Sequence, residues 1–340
     1  MPARRPIVAI ITPYGAAANN GNWRTAARWA HWLRERFRVR ILLAWRGESA
    51  DALIALHARR SAQSIAAYSQ AHPDRPCIVV LTGTDLYRDI LQDESAQRSL
   101  ACATQLVVLN EMGRAHVPRR WRAKTRVILQ SAPALPPLPR PVRRFRAIVV
   151  GHLREEKDPL TAMRAAEQLA ATEQPAAHTP IEIAHIGMAL DARIAAQARA
   201  TAAGCPRYRW LGGRPHGATR KAIRRAHVLL HPSLMEGGAQ VVIEAIMGGT
   251  PIIASRIDGN VGLLGRDYPG YFPVGNVAAC ARLLRRAARE QSFYARLVRA
   301  TRQRALRFAP EKERSAVLRL VARALAMVTS VRARTRVRSR

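Results

Sequence analysis

The sequence predicts an α/β protein with two domains, each built around a parallel sheet covered by helices. Short apolar runs rich in β-branched residues alternate with helical segments throughout residues 6–255, which is the pattern of strand–helix–strand units. A chain of 340 residues, of which 48% are apolar, is long enough for two domains of ordinary size. Between the halves, residues 131–144 contain five prolines, which resist helix formation and indicate a linker or hinge.

We therefore expect the domain boundary at this proline-rich segment. The first domain is predicted at residues 1–135 and the second at residues 145–308. A C-terminal helix is predicted at residues 309–328, followed by a solvated and mobile basic tail at residues 329–340. No internal repeat of solenoid period is evident, so the halves are expected to be similar only in architecture.

The net charge of +33 raises the question of nucleic-acid binding, because phosphate backbones are bound by dense lysine and arginine. Arginine accounts for 52 of the 56 basic residues and is spread over both halves, and aromatic residues make up only 5% of the chain. This distribution, without an aromatic stacking platform, argues against nucleic-acid binding as the main function. We expect no nucleic-acid partner, although the charge can steer small anionic substrates.

The cysteines and the N-terminal apolar run indicate the compartment. Cys77, Cys102, Cys205 and Cys280 are widely separated and lack zinc or dithiol spacing, so they are expected to be buried free thiols of a reducing compartment. The apolar run PIVAII is too short for a signal sequence or a membrane span and is followed by Pro13. We predict that it is the first strand and that the protein is cytoplasmic, with no integral membrane segment.

A loop rich in glycine and asparagine follows this first strand. Loops at the carboxyl ends of parallel strands form the ligand crevice of doubly wound folds. Gly15, Asn20, Gly21 and Asn22 allow the backbone to approach a phosphate-like group closely, and Arg24 adds positive potential. The alternative is a flexible turn without a ligand.

Two further loops of the first half follow apolar strands. His57 comes after the first of them, although a lone histidine is more often structural. Thr82, Gly83, Thr84 and Asp85 come after the second. Asp85 could orient a substrate hydroxyl or cap the following turn.

The second half opens with a strand, a charged loop and a helix, RAIVVGHLREEKDP. The loop contains Gly151, His152, Arg154 and Lys157. A guanidinium group in this loop would pair well with phosphate oxygens in a bidentate way. The alternative is a solvated charged loop.

The most informative segment is HVLLHPSLMEGGAQVVIEAIMGGTPIIAS, residues 227–255. It predicts a strand, a loop, a helix at 239–247 and a second strand, with Glu236 before the helix and Glu244 inside it. Eight helical residues span about 12 Å, so the two carboxylates could hold the two ends of a nucleotide sugar. Gly237, Gly238 and Ala239 leave room for its diphosphate at the helix N-terminus. The alternative is an ordinary turn and helix with two exposed glutamates.

Together these motifs resemble the family 4 glycosyltransferases, which have the GT-B architecture of two Rossmann-like domains facing a cleft. The resemblance implies that Glu236 lies near the donor sugar, that Glu244 binds the ribose hydroxyls and that Lys157 neutralises the leaving diphosphate. It places His152 where an arginine is usual, and Arg154 is near enough in sequence to replace that charge. It also implies that the C-terminal helix packs back across the domains. The implied donor-binding residues are Gly151, His152, Glu236, Gly237, Gly238, Ala239, Glu244, Gly259 and Asn260, the last two otherwise a simple turn.

No metal is required by this arrangement. The chain contains no Asp-x-Asp motif, and cationic side chains with a helix dipole can stabilise a departing nucleotide without Mg²⁺. Enzymes of the resembled group generally work without metal, and we expect neither a metal nor a cofactor. The implied catalytic residues are Lys157, Arg154 and Glu236.

Several blocks, among them NGNWRTAARWAHWL, VVLTGTDLYRD and SRIDGNVGLLGRDYPGYFPVG, narrow the resemblance to one branch of that family, the selenosugar synthases of selenoneine biosynthesis. The branch implies a UDP-sugar donor, UDP-N-acetylglucosamine, and selenophosphate as the acceptor, joined through a carbon–selenium bond. The expected acceptor-binding residues are Gly15, Asn20, Gly21, Asn22, Arg24, His57, Thr82, Gly83, Thr84 and Asp85. Three alternatives remain open: a glycosyltransferase with a hydroxyl acceptor, a nucleic-acid binding protein and a non-catalytic sugar-nucleotide sensor.

Overall fold

The computed structural model describes residues 4–16, 20–172 and 179–338, with side chains described up to residue 327. The chain forms two compact units. Unit 1 contains the residues up to Gln130 together with those from Pro310 onward, and unit 2 contains Ser131–Ala309. In the described part of the chain, no helix combines the length and apolar character needed to cross a membrane.

Unit 1 is built around a six-stranded parallel sheet in the order β2-β1-β3-β4-β5-β6. β1, β3 and β4 are buried along their whole length, as expected for parallel strands covered on both faces. The direction of strand progression changes between β1 and β3. The strands are β1 Ile7–Ile11, β2 Arg38–Leu42, β3 Ala52–Leu56, β4 Cys77–Leu81, β5 Gln105–Val108 and β6 Thr125–Val127, and the helices are α1 Gly21–Leu33, α2 Ala62–Ala71, α3 Ile90–Gln92, α4 Glu94–Cys102, α5 Gly113–His116 and, from the C-terminal segment, α13 Pro310–Arg338.

Unit 2 contains a second six-stranded parallel sheet, in the order β12-β11-β10-β7-β8-β9. This is the strand order of a Rossmann fold, in which the chain starts at the centre and builds outward in both directions. The reversal lies between β7 and β10. The strands are β7 Phe145–Val150, β8 Ile181–Ile186, β9 Tyr208–Trp210, β10 Val228–His231, β11 Ile252–Ser255 and β12 Tyr271–Phe272, and the helices are α6 Pro159–Thr172, α7 Ala192–Gly204, α8 His216–Arg225, α9 Gln240–Met247, α10 Asp258–Leu264, α11 Val277–Arg289 and α12 Gln291–Ala305.

The predicted fold class, α/β with two parallel-sheet domains, is confirmed. The strand, loop, helix and strand predicted for residues 227–255 are β10, its following loop, α9 and β11.

The C-terminal helix is longer than expected and belongs to unit 1. α13 continues to Arg338, so residues 329–338, predicted to be a mobile tail, have a helical backbone, and residues 339–340 lie outside the described part. Alanine and arginine are good helix formers, which favours this continuation. The buried carboxylate of Glu313 accepts hydrogen bonds from Trp29 Nε1 at 2.7 Å and Arg28 Nε at 2.9 Å, which ties α13 to α1.

The proline-rich segment, predicted to be a linker or hinge, is hydrogen-bonded to the rest of unit 2. The N–H groups of Leu135 and Leu138 donate to the carbonyls of Met247 at 3.1 Å and Arg224 at 3.2 Å. In return, Arg224 Nε donates to the carbonyl of Pro136 at 2.7 Å. Proline lacks a donor but keeps its acceptor, so such a segment can still be fixed by hydrogen bonds.

The four cysteines are free thiols, as expected. Cys77, Cys205 and Cys280 are buried, whereas Cys102 is partly exposed. Burial raises the pKa of Cys77 to about 12, so this thiol stays protonated and unreactive at neutral pH.

Candidate active site

The residues predicted to bind a donor gather in unit 2 where the strand order reverses. The loop after β7 contains Lys157, and the loop after the neighbouring strand β10 contains Glu236. Because both strands are parallel, their carboxyl ends open into the same crevice, which is where doubly wound sheets bind ligands. There Lys157 Nζ lies 2.5 Å from Glu236 Oε1.

Glu236 is buried, with 8% of its surface exposed. A second donor, His231 Nε2, lies 3.1 Å from the same Oε1 atom. Burial opposes ionisation of this carboxyl, but the Lys157 ammonium and the hydrogen bond from His231 outweigh it and hold the pKa of Glu236 well below its usual range. Glu236 is therefore a carboxylate that can accept hydrogen bonds from sugar hydroxyls.

A buried polar chain continues behind Glu236. His231, the last residue of β10, lies 3.4 Å from the hydroxyl of Ser233. Ser255, at the end of β11, donates to the Ser233 carbonyl at 2.5 Å, and Asn260 Nδ2 donates to the Ser255 carbonyl at 2.9 Å. The ends of β10 and β11 and the start of α10 are thus tied together, so Asn260 supports the loop that carries Glu236.

Gly259 and Asn260 lie in helix α10 and not in the turn that was their alternative reading. A Cβ atom at Gly259 would lie 2.0 Å from the carbonyl oxygen of Glu236. Only glycine allows α10 to approach the Glu236 backbone this closely. Gly259 therefore shapes the site through its lack of a side chain.

Gly151 and His152 are fixed by the neighbouring strand β8. His185 Nε2 donates to the Gly151 carbonyl at 3.0 Å, and His152 Nδ1 accepts the N–H of Met188 at 3.1 Å. Burial, with Arg154 and Lys157 nearby, lowers the pKa of His152 below its ordinary value. His152 is therefore neutral at neutral pH and cannot supply the charge of an arginine.

The positive charge of this loop comes from Arg154 and Lys157. Arg154 is 40% exposed, and its Nε lies 3.9 Å from Glu156 Oε2, which is too long for a strong hydrogen bond. Lys157 is followed by Asp158, which has a left-handed φ of 42° and caps α6 through Thr161.

Glu244 lies on α9, buried apart from 5% of its side chain, with Oε1 2.6 Å from His216 Nε2 at the start of α8. The residue before α9 is Ala239, whose methyl group cannot cap the helix. Gly237 and Gly238 precede it in the loop. Ala239 thus leaves the first N–H groups of α9 without a cap from its own side chain, and such groups can receive an anion.

In unit 1, the structure brings together Thr82, Gly83 and Asp85. Asp85 is fully buried, and its carboxylate accepts the N–H groups of Thr82 and Gly83, both at 2.8 Å, and of Ala58 at 2.9 Å. Of the two roles considered for Asp85, this geometry supports capping, because its oxygens are engaged by the backbone.

His57 and Thr84 form a second contact in unit 1. His57 Nε2 lies 3.0 Å from Thr84 Oγ1, while His57 Nδ1 accepts the N–H of Arg60 at 3.3 Å. His57 is buried and has a φ of 74°, a conformation that is strained for a residue with a side chain. It follows β3, next to the point where the strand order of unit 1 reverses.

The glycine- and asparagine-rich loop follows β1, on the other side of that reversal. Asn20 caps α1 by accepting the N–H of Trp23 at 3.1 Å, and Gly21 and Asn22 are the first residues of the helix. Arg24 lies in its first turn, and Gly15 lies nearer to β1. Residues 17–19 of this loop are outside the described part of the chain.

His231 and His216 contact the two glutamates and were not predicted from the sequence. His231 stands five residues before Glu236 at a strand end, so its position could have indicated the contact. His216 is separated from Glu244 by 28 residues and has no comparable local signal.

Comparisons with known proteins identify the family. The family model described as glycosyl transferases group 1 matches residues 135–304, half of the chain, and includes Lys157, Glu236 and Glu244. No curated protein sequence matches the chain.

Solved structures share the fold at low sequence identity. Sucrose-phosphate synthase from Thermosynechococcus elongatus is 17% identical with a TM-score of 0.76, covering 95% of this chain and 100% of its own. Anabaena HepE in complex with UDP and glucose is 13% identical with a TM-score of 0.71 and the same coverage. The UDP-forming α,α-trehalose-phosphate synthase from Burkholderia xenovorans, in complex with glucose-6-phosphate, is 12% identical with a TM-score of 0.65, covering 92% of this chain and 79% of its own. The family match over half of the sequence shows that the chain belongs to the group 1 glycosyl transferases.

Proposed function

We propose that this protein transfers a sugar from a UDP-sugar, UDP-N-acetylglucosamine, to selenophosphate and so forms a carbon–selenium bond. The observation that carries the proposal is the ionised, buried Glu236, which Lys157 holds at the carboxyl ends of the neighbouring strands β7 and β10. Similar structures solved in complex with UDP, such as Anabaena HepE with UDP and glucose, support a UDP-sugar as the donor.

The donor half of the reaction uses residues of unit 2. Glu244 binds the ribose hydroxyls, and Glu236 binds hydroxyls of the transferred sugar. Lys157 and Arg154, with the N-terminus of α9, stabilise the diphosphate as it leaves. When the diphosphate binds, it gives Lys157 a second anionic partner beside Glu236.

The acceptor half rests on the sequence resemblance and on the chemistry of an anionic nucleophile. Selenium of selenophosphate forms a bond to the anomeric carbon, the bond from that carbon to the β-phosphate oxygen breaks, and UDP leaves with the electron pair. Because selenophosphate is already ionised, no general base has to remove a proton. We propose that the loops of unit 1 containing Gly15, Asn20, Gly21, Asn22 and Arg24 and those containing His57, Thr82, Gly83 and Thr84 bind this acceptor, with Asp85 holding the second of them in shape.

The proposal is tested by incubating the purified protein with UDP-N-acetylglucosamine and freshly prepared selenophosphate under anaerobic conditions. Mass spectrometry should detect a sugar with the selenium isotope pattern, together with one equivalent of UDP. Glu244→Ala should abolish both products, whereas Glu94→Ala, at a carboxylate 86% exposed in unit 1, should leave them unchanged.

Two outcomes would overturn the proposal. UDP release only with hydroxyl acceptors would make the protein a conventional glycosyltransferase. UDP-sugar binding without UDP release for any acceptor would make it a sensor.

A further inference from the structure

His216 is held at the carboxyl edge of the unit 2 sheet by the loop that precedes it. The Leu211 N–H donates to the His185 carbonyl at 2.8 Å, and the Gly187 N–H donates to the Gly212 carbonyl at 2.9 Å. Pro215 then leads directly into α8, whose first residue is His216. The backbone that leads to His216 is thus anchored, and His216 lies on the side of the sheet where the proposed donor residues gather.

The contact between His216 and Glu244 is short and joins two packed helices. His216 Nε2 lies 2.6 Å from Glu244 Oε1, and α8 packs against α9. An ionised carboxylate only accepts hydrogen bonds, so the imidazole is the donor. The side chain of His216 is 39% exposed and that of Glu244 is 5% exposed.

This contact constrains how Glu244 can meet a ligand. A glutamate side chain has several rotatable bonds, and ordering it at the moment of binding weakens affinity. A carboxylate already held through Oε1 can present Oε2 in a fixed direction to a hydroxyl of the ligand. A carboxylate without that hydrogen bond would have to be ordered by the ligand itself.

We propose that His216 is a positioning residue that orients Glu244 towards the ribose of the nucleotide. This inference rests on the proposed function, in which Glu244 binds the ribose hydroxyls. His216 acts through Glu244 and not by contact with the diphosphate or the base. Its effect should therefore be confined to ligands that carry the ribose diol.

The test compares UDP with 2′,3′-dideoxy-UDP, which lacks both ribose hydroxyls, by isothermal titration calorimetry. We expect His216→Ala to weaken UDP binding about tenfold, in line with the loss of one charge-assisted hydrogen bond. Its affinity for the dideoxy compound should match that of the unmodified protein. His216→Gln, whose amide can donate over a similar reach, should restore most of the UDP affinity.

Two further variants separate positioning from charge. Lys221→Ala removes a positive charge from an exposed site on the same helix and should leave UDP affinity within about twofold of the unmodified protein. In a Glu244→Ala background, His216→Ala should have no additional effect. Thermal unfolding of each variant checks that the fold is intact.

The possible failures are distinguishable. If the unmodified protein does not bind UDP, the proposed function fails and this inference fails with it. If UDP binds but His216→Ala binds it equally well or more tightly, or loses affinity equally for the dideoxy compound, the positioning role is wrong and the proposed function stands.

Discussion

Lys157 Nζ and Glu236 Oε1 lie 2.5 Å apart, joining loops that follow the adjacent strands β7 and β10. The lysine side chain is 21% exposed and the glutamate side chain 9%. Because the pair is largely buried, removal of either partner leaves the other charge uncompensated in a poorly solvated position and destabilises the protein.

We therefore predict that Lys157→Met lowers the free energy of unfolding by about 3 kcal/mol and the rate of UDP release by about two orders of magnitude. The double variant Lys157→Met, Glu236→Gln should regain most of the stability but none of the activity. Urea denaturation and a UDP-release assay measure the two effects. Equal stability of the single and double variants would show that the uncompensated Glu236 carboxylate is not what destabilises Lys157→Met.

Arg154 should contribute the charge that neutral His152 cannot provide. We predict that Arg154→Ala raises the donor KM about tenfold, because a guanidinium–phosphate interaction is lost, and that Arg154→Lys retains part of the affinity. Arg193→Ala, at a side chain 95% exposed in the same unit, is the matched control and should leave KM unchanged. Steady-state kinetics with varied UDP-sugar give these values, and an unaltered KM for Arg154→Ala would remove Arg154 from the site.

Gly259 should tolerate no side chain. Gly259→Ala would place a Cβ 2.0 Å from the Glu236 carbonyl, so the loop must move, at a cost of about 1 to 3 kcal/mol in stability. Weaker UDP binding should follow, because Glu236 moves with its backbone. Gly204→Ala, where an added Cβ meets no atom within 4 Å, should lower neither property. Thermal unfolding measures stability and calorimetry measures UDP affinity. Equal behaviour of the two variants would contradict the prediction.

The stability of unit 2 should fall in mild acid because of His185. Burial lowers the pKa of His185 from 6.5 to about 4, so between these values the unfolded chain binds a proton that the folded chain does not. Stability therefore rises with pH across this window, and His185 should make the protein about 2 kcal/mol less stable at pH 5 than at pH 7.

His185→Gln removes this proton uptake and should reduce the stability difference between pH 7 and pH 5 by that amount. Burial also lowers the pKa of His227 to about 4, and its contribution should remain in both proteins. The exposed His31 provides a control, since His31→Gln should keep the full pH dependence. Denaturant titrations at both pH values measure the effect, and an unchanged difference in His185→Gln would exclude His185 as its source.

The parts of the fold that follow from local pattern were predictable. The run VLLH and the run IIAS are apolar and β-rich, and between them a small-residue turn leads into a helix, so β10, α9 and β11 could be read directly from the sequence. The same segment placed Glu236 before the helix and Glu244 within it.

Two partners of these carboxylates, Lys157 and His216, depend on strand order and helix packing, which local pattern does not reveal. Lys157 and Glu236 meet because β10 lies beside β7 in the sheet, although 79 residues separate them. His216 reaches Glu244 only because α8 packs on α9. A lone histidine at the start of a helix has no periodicity or spacing that would indicate such a contact.

Two other features could not be predicted from the sequence, each for a different reason. Asp85 follows a strand in the way a ligand-binding residue would, and only the backbone hydrogen bonds of the folded loop show that its oxygens are occupied. The prolines of residues 131–144 do exclude helix. Their free carbonyls, however, allow the segment to be fixed to unit 2, and proline content alone does not distinguish a fixed segment from a free one.

The return of α13 to unit 1 determines the order in which the chain can complete its folding during synthesis. Val317 and Val321 of this helix are buried in the same apolar cluster as Val8 and Ile10 of β1. The part of that cluster covered by α13 cannot close until the segment from Pro310 onward has been made, whereas every residue of unit 2 precedes that segment in the chain. Multidomain chains generally fold from the N-terminal domain onward. Here the N-terminal sheet can be completed only after α13 has been made, and during the synthesis of unit 2 the part of the cluster that α13 covers stays exposed.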